Sequence, residues 1–176
     1  MIIDCCTLFN ELDLLEIRLN SLAPYVDKFV VCEWELTHSG KRKKLFLDEN
    51  WDRFNKFNII YLVPNGYCNP DPWRMENYQR NYLYKGIEGE RSDSTILISD
   101  VDEIPNLVDY KFGSNGVSRQ KLYYYYLNGF TGKNNWKGTI VTKKSDINAM
   151  QELRNRRNKI LNFTFSPSFA DLVVQL

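Results

Sequence analysis

The sequence predicts an α/β domain with a largely parallel central sheet. First, β-prone runs alternate with helix-like patterns along the chain, and strands that alternate with helices pair in parallel. Second, residues 95–99 (TILIS) form a short apolar run between polar residues, which is typical of a strand buried on both faces. Third, the 176 residues suit a single domain, since domains usually have ~100–200 residues.

The individual elements follow from local patterns. Residues 2–9 are β-prone, and Asn10 then has the chemistry of a helix N-cap, with Asp13 at the reciprocal position. That helix extends to Pro24, and residues 28–33 (KFVVCE) form the second strand. The later predicted elements are a helix over 49–57, a strand over 58–63, a helix of about 73–85 that Pro72 opens, the strand 95–99, strands over 121–127 and 139–142, and a helix over 145–155.

Composition argues against several classes of protein. Lys and Arg total 23 and Asp and Glu total 22, and this balanced charge argues against a nucleic-acid partner. No apolar run approaches the ~20 residues of a membrane span. The N-terminal MIIDCC lacks the basic and apolar regions of a signal peptide, so we expect a cytoplasmic chain. Cys5, Cys6 and Cys32 lie in apolar runs and are expected to be small buried hydrophobes.

The ends of the predicted strands contain the first candidate binding residues. Ligands of parallel α/β sheets bind beyond the carboxyl ends of the strands. Asn10 and Glu11 follow the first strand, and Glu33 ends the second, where it would face a nucleotide. The next loop contains His38 and Lys41 beside small residues, a pattern that suits a pyrophosphate. The alternatives are a plain N-cap for Asn10, an exposed strand end for Glu33 and a structural role for His38.

An acidic cluster follows the buried run 95–99. An extended Asp-x-Asp places both carboxylates on one side of the chain, and Asp100 and Asp102 have this spacing. Two hard oxygen ligands suit Mg²⁺ or Mn²⁺, with phosphate oxygens and waters as the other ligands. The alternative is a solvated acidic turn that caps the next element. We favour the metal site, because a cation relieves the repulsion between crowded carboxylates.

One face of the helix after Pro72 is unusually polar for a core-facing surface. Its members share a helical spacing of three or four residues; they are Trp73, Glu76, Asn77, Arg80 and Tyr84. Glu76 and Arg80 could form a simple i,i+4 ion pair. The functional interpretation is that Asn77 or Arg80 contacts donor phosphates, since a guanidinium group suits phosphate.

Several longer blocks resemble glycosyltransferase family 17, which contains the β-1,4-mannosyl-glycoprotein 4-β-N-acetylglucosaminyltransferases. The blocks cover most of residues 2–157 in the family's order. They are DCCTLFNELDLLEIRLNSL (4–22), VDKFVVCE (26–33), THSGK (37–41), DPWRMENYQRN (71–81), ISDVDEIP (98–105) and YYLNGFTGKNNWKGTIVTKKSD (125–146). Residues 158–176 depart from the family, whose members usually continue after LRNRR into a Gly-Trp-His-Phe segment.

The resemblance implies a GT-A-like, Rossmann-like fold and a metal-dependent inverting transferase. Its donor would be a UDP-sugar, usually UDP-GlcNAc, and its acceptor a mannose-containing glycan. Asp102 would then be the main Mn²⁺ or Mg²⁺ ligand, and Asp100 would bind the metal or the ribose. Asp146 is the late acid in the matched region that could act as catalytic base.

Two other classes of function stay open from the sequence. A nucleotidyltransferase also uses paired acids, but it usually has a Gly-rich loop where this chain reads FNELDLL. A catalytically impaired family member could bind a nucleotide-sugar or act as a partner module. The apolar tail, at 163–165 and 169–176, is expected to dock on the domain or on a second copy in a homodimer, since burying each of its large side chains is worth ~1.5–3 kcal/mol.

Overall fold

The computed structural model describes most of the chain. The described residues are 1–37, 39–66, 69, 71–108, 110, 115–124, 129–133, 135–159, 164–165 and 172–175. Strands and helices alternate through the first hundred of them, so the predicted α/β architecture is confirmed.

The described strands form one extended sheet with a parallel core. They are β1 (Ile2–Leu8), β2 (Lys28–Glu33), β3 (Ile59–Leu62), β4 (Thr95–Asp100), β5 (Glu103–Ile104), β6 (Gly116–Tyr124), β7 (Trp136–Lys143), β8 (Thr164–Phe165) and β9 (Leu172–Gln175). The order is β3-β2-β1-β4-β7-β6-β9-β5, and β8 also pairs with β6. The first four strands are parallel, whereas β7 is antiparallel to both β4 and β6.

Helices cover both faces of the parallel strands. They are α1 (Leu12–Leu22), α2 (Phe46–Glu49), α3 (Trp51–Phe54), α4 (Pro72–Tyr82) and α5 (Met150–Arg156). Alternate residues of β1 point to opposite faces. Cys6 and Leu8 pack with apolar residues of α1 and α3, whereas Ile3 and Cys5 pack with Leu83, Ile87 and Met150.

The cysteines behave as the sequence predicts. Cys5, Cys6 and Cys32 are buried free thiols. Burial raises the pKa of Cys6 to about 12, which keeps its thiol protonated and unreactive at neutral pH.

Several element boundaries differ from the sequence prediction. Asn10 is not the N-cap of α1: Glu11 occupies that position, and its Oε2 accepts hydrogen bonds from the amides of Phe9 and Asn10. The single helix predicted over 49–57 is two short helices, α2 and α3, that meet at Asn50. The helix predicted over 145–155 begins only at Met150, after a 3₁₀ turn.

The later strands and the tail extend the sheet. β6 begins at Gly116, earlier than predicted, and residues 125–127 of that prediction lie outside the described residues. The described parts of the tail, β8 and β9, pair with β6. This pairing agrees with the expectation that the tail docks on the domain. No helix in the described ranges has both the length and the apolar character that crossing a membrane requires.

Candidate functional site

A cleft of about 730 Å³ opens at the carboxyl ends of the parallel strands. Thr7, one residue before the end of β1, and Asp100, the last residue of β4, are partners in the parallel register, and both line the cleft. The segment after β2 forms one side of the cleft, which we call the β2 side. The end of β4 and the facing residues of α4 form the other, the β4 side. The cleft therefore lies where the sheet topology predicts a ligand site.

Asp100 lies at the centre of an ion-pair network on the β4 side. Its Oδ1 accepts a hydrogen bond of 2.7 Å from Arg80, and its Oδ2 accepts one of 2.7 Å from Arg154. Burial alone would raise the pKa of Asp100, but the charges of Arg154 and Arg80 outweigh it and hold the pKa at about 2. Asp100 is therefore ionised at every physiological pH, and both of its oxygens already have cationic partners.

Asp102 is in the opposite electrostatic situation. Burial, followed by the charges of Glu103 and Asp100, raises its pKa to about 7. No cationic side chain in the described part of the chain forms an ion pair with it. Asp102 lines the cleft. Among the described residues it therefore presents a carboxylate whose negative charge no cationic side chain compensates.

Glu103 fixes the turn that contains Asp102. Its side chain is buried and accepts hydrogen bonds from Arg154 at 2.6 Å and from the Trp136 indole at 2.8 Å. Its other oxygen accepts a hydrogen bond of 3.2 Å from the backbone amide of Asp100. The side chain of Glu103 is thus buried inside the protein, whereas Asp100 and Asp102 line the cleft.

Arg80 joins α4 to the end of β4. It is 3% exposed and donates to Glu76 and Asp100, each at 2.7 Å, and also to Gln151. Its Nε is buried and has no hydrogen-bond partner. A buried guanidinium N–H without a partner is costly. Arg80 also lines the cleft, so its positive charge acts on an anionic ligand there, although the Nε itself is buried.

Residues that follow β1 and β2 form an aromatic and apolar wall on the β2 side. Phe9 and Trp34 line the cleft together with Leu36. Lys43 also lines it, with its ammonium 5.3 Å from the centre of the Phe9 ring. This side of the cleft therefore offers flat apolar surfaces and one cation.

The other residues proposed from the β1 and β2 strand ends lie in different environments. Glu11 lines the cleft, but Asn10 does not lie among the lining residues and is exposed. Lys41 is exposed on the loop and also lies away from the lining. His38 lies outside the described residues.

Glu33 points into the protein, which contradicts the expectation that it faces a nucleotide. Its carboxylate is fully buried, 2.6 Å from the Lys43 ammonium. It also accepts hydrogen bonds from the amides of Phe46 and Leu47 and from the Tyr61 hydroxyl. Glu33 therefore anchors the start of α2 and holds Lys43 beside the cleft.

Asp146 and Asn77 are not placed to act in this cleft. The amide of Lys144 donates to the carbonyl of Ser94, so the segment with Asp146 lies beyond the amino end of β4. The length of β4 separates it from Asp100 by roughly 16 Å, at about 3.3 Å per residue. Asp146 is exposed and bonded to Asn115 at 2.7 Å. Asn77 is half-buried on α4 outside the lining.

Sequence reasoning missed three residues of the site. Arg154 had no recognisable signal, because its partners Asp100 and Glu103 are far away in sequence. Lys43 lies in the basic run 41–44, and such runs are usually solvated surface. Gln79 donates to the carbonyls of Leu8 and Cys32, which ties α4 to the ends of β1 and β2.

The sequence matches the model of glycosyltransferase family 17 over residues 1–162. The chain belongs to glycosyltransferase family 17. It is also similar to curated proteins named β-1,4-mannosyl-glycoprotein 4-β-N-acetylglucosaminyltransferase. The rat and human proteins are each 29% identical over 135 residues, and the mouse protein is 28% identical over the same length. The match covers 69% of this chain and 23% of the rat, 24% of the human and 23% of the mouse protein. The chain thus spans about a quarter of the length of these relatives.

The acids of this family 17 chain suit a metal ion that arrives with a phosphorylated ligand. In the described ranges, no three His, Cys, Asp or Glu side chains are grouped so that they could hold a metal ion by themselves. Asp102 is one uncompensated oxygen donor, and Asp100 next to it is held by arginines. Mg²⁺ and related cations often bind through one or two carboxylates plus substrate phosphates. The donor set fits that mode of binding.

Proposed function

We propose that this chain binds a UDP-sugar with a divalent metal and takes part in inverting sugar transfer. The donor would be UDP-GlcNAc and the acceptor a mannose-containing glycan, in keeping with the names of the relatives. The observation that supports the proposal most is the uncompensated Asp102 carboxylate at the cleft, beside the buried Arg80.

The two sides of the cleft suit the two halves of a nucleotide. The nucleobase would lie on the β2 side, where Phe9, Trp34 and Leu36 offer apolar and aromatic surface. The diphosphate would lie on the β4 side, where the guanidinium of Arg80 lines the cleft and attracts a phosphate group. The ammonium of Lys43 lies 5.3 Å from the centre of the Phe9 ring and 5.0 Å from that of Phe46, and the buried Glu33 holds it there.

Asp102 would hold Mn²⁺ or Mg²⁺ together with the diphosphate. When bound, the metal would neutralise the negative charge that develops on the leaving diphosphate. Arg80 supports the same charge from within the protein, and the ion pair with Arg154 keeps Asp100 ionised and fixed in place. In an inverting transfer, the acceptor hydroxyl attacks the sugar from the side opposite the diphosphate and loses its proton to a base.

Donor binding without transfer is the second candidate function. The described lining contains four acids, Glu11, Glu76, Asp100 and Asp102. Glu11 accepts two backbone hydrogen bonds, and Glu76 pairs with Arg80. Asp100 is held by two arginines, and Asp102 is assigned to the metal. No acid in the described lining is thus free to serve as the base, which favours a donor-binding role for these residues.

Ligand-induced stabilisation tests the proposal. We expect UDP-GlcNAc with Mn²⁺ to raise the unfolding temperature, because a ligand at 100 times its Kd stabilises a protein by about 2.7 kcal/mol. Chelation of the metal should remove most of the effect. Asp102→Asn should remove it too, whereas the matched variant Asp146→Asn at the far end of β4 should respond like the wild type.

The controls separate the alternatives. Stabilisation by nucleoside triphosphates but not by UDP-sugars would favour a nucleotidyltransferase and overturn the proposal. Transfer of labelled GlcNAc to a mannose-containing acceptor separates the two candidate functions. Donor binding without detectable transfer supports the second one.

A further inference from the structure

Arg18 is a fully buried cation in the first helix of the domain. It lies on α1 among apolar residues, and 0% of its surface is exposed. Its charge is balanced by Asp4 of β1, which is also buried: Nε and one terminal nitrogen donate to the two carboxylate oxygens at 2.7 and 2.6 Å. Neither residue lines the cleft. Direct contact with a ligand in the cleft therefore does not explain why a buried charged pair lies here.

The rest of the Arg18 guanidinium binds the turn after β4. One terminal nitrogen donates to the carbonyls of Asp100 and Glu103, each at 3.0 Å, with the carbonyl of Val101 at 3.4 Å. The other donates to Ser99 Oγ at 2.5 Å. A guanidinium group has five N–H donors, and these contacts together with Asp4 can use all of them.

Stability alone is a poor explanation for this arrangement. A buried ion pair pays a large desolvation cost, and well-packed apolar residues of similar volume often stabilise a protein at least as well. What apolar residues cannot do is fix the directions of three carbonyl groups in one turn. The carbonyl directions set the backbone dihedrals of the turn, and these set where the side chains of Asp100 and Asp102 point.

We infer that Arg18 is a positioning residue that holds the turn 100–103 in the conformation that presents Asp102 to the cleft. The consequence that we predict for metal-dependent nucleotide binding rests on the proposed function. Lysine cannot replace Arg18, because its three donors on a single nitrogen cannot reach Asp4 and the carbonyls of the turn in the same fork geometry.

Two variants and one control test the inference. Arg18→Lys keeps the charge, and Asp4→Leu combined with Arg18→Met replaces the buried pair by apolar side chains. Leu22→Ala removes buried apolar contacts from α1 and leaves both charged residues in place. Hydrogen exchange is measured on the peptide that spans 98–105, and the UDP–Mn²⁺ dissociation constant is measured by calorimetry.

We expect both Arg18 variants to fold and to exchange the turn amides at least tenfold faster, while β1 and β2 keep their protection. Their UDP–Mn²⁺ affinity should fall at least tenfold. Leu22→Ala should lower the denaturant midpoint. It should not change the UDP–Mn²⁺ affinity or the ratio of amide protection in the turn to that in β1. A purely structural role would instead make the loss of affinity follow the loss of stability in all the variants.

Several outcomes overturn the inference. One is wild-type protection of the turn in the Arg18 variants. Another is failure of the apolar-pair variant to fold, which would show that the ion pair is needed for the fold itself. If the wild-type protein does not bind UDP–Mn²⁺, the proposed function fails, and hydrogen exchange still decides whether Arg18 holds the turn.

Discussion

Replacing Asp102 by asparagine should stabilise the ligand-free protein at alkaline pH. The pKa of this carboxyl rises from 3.8 to about 7 on folding, because of burial and then the charges of Glu103 and Asp100. The folded state therefore favours the protonated form. This favourable effect is fully present below pH ~4 and is lost as the pH rises through about 7. The neutral amide of Asp102→Asn avoids the penalty at any pH.

The size of the effect follows from the pKa shift. A change of roughly three pKa units corresponds to about 4 kcal/mol as an upper limit, at 1.36 kcal/mol per unit. The side chain of Asp102 is partly exposed, so water screens some of the repulsion. We therefore expect Asp102→Asn to be more stable than the wild type by roughly 1–3 kcal/mol at pH 8.

Urea unfolding in the presence of a chelator measures this difference. The gap between the two proteins should shrink towards zero as the pH falls from 8 to about 4, because the wild-type carboxyl then gains its proton. Adding UDP and Mn²⁺ at pH 8 should reverse the order, since only the wild type keeps the carboxylate for the metal. The matched variant Asp146→Asn, whose exposed carboxylate has a lowered pKa, should show no gain at pH 8.

A wild-type protein as stable as Asp102→Asn at pH 8 without ligand would refute this reasoning. Asp102 would then be compensated in solution by a cation that it does not contact among the described residues. A gap that persists unchanged at pH 4 would point to packing and not to charge.

Three further perturbations test other parts of the structure. Arg80→Ala should weaken UDP binding at least tenfold and raise the pKa of Asp100, which carbon-detected NMR of the carboxyl can follow; unchanged affinity would remove Arg80 from the donor site. Glu33→Gln should cost about 2–4 kcal/mol in urea unfolding, since a buried charged acceptor of four hydrogen bonds is lost; a neutral effect would show that its partners find water instead. Gly86→Ala should cost about 1–3 kcal/mol, because the added methyl meets Cγ1 of Val30, and the second change Val30→Ala should restore part of it; an additive double variant would contradict the clash.

The order of strands and helices was readable from the sequence because local patterns encode it. The apolar run of β4 and the alternation of the first hundred residues predicted the parallel sheet, and the strand-end rule then placed Asp100 and Asp102 at the cleft. Arg80 was found for a similar reason, since helical spacing puts it on the same face as Glu76, next to the end of β4.

The direction of a late strand was not readable in this way. β7 runs antiparallel to β4, and this places Asp146 at the amino end of the sheet, away from the cleft. A short apolar run looks the same in either direction, because parallel and antiparallel strands bury the same types of side chain. The candidate base was therefore chosen from a segment whose position only the pairing of strands decides.

Partners that are distant in sequence were decided by the tertiary structure alone. Glu33 looked like a strand end facing a ligand, but packing of α2 turned it inward to bind two backbone amides and Lys43. Arg18 lies on the buried face of α1, and its carbonyl partners are more than 80 residues away. Local patterns determine which face of a strand or helix is apolar, because that depends on near neighbours in the chain. The protonation and pairing of a buried charge depend on which distant groups share its low-dielectric surroundings, and only the folded chain brings those groups together.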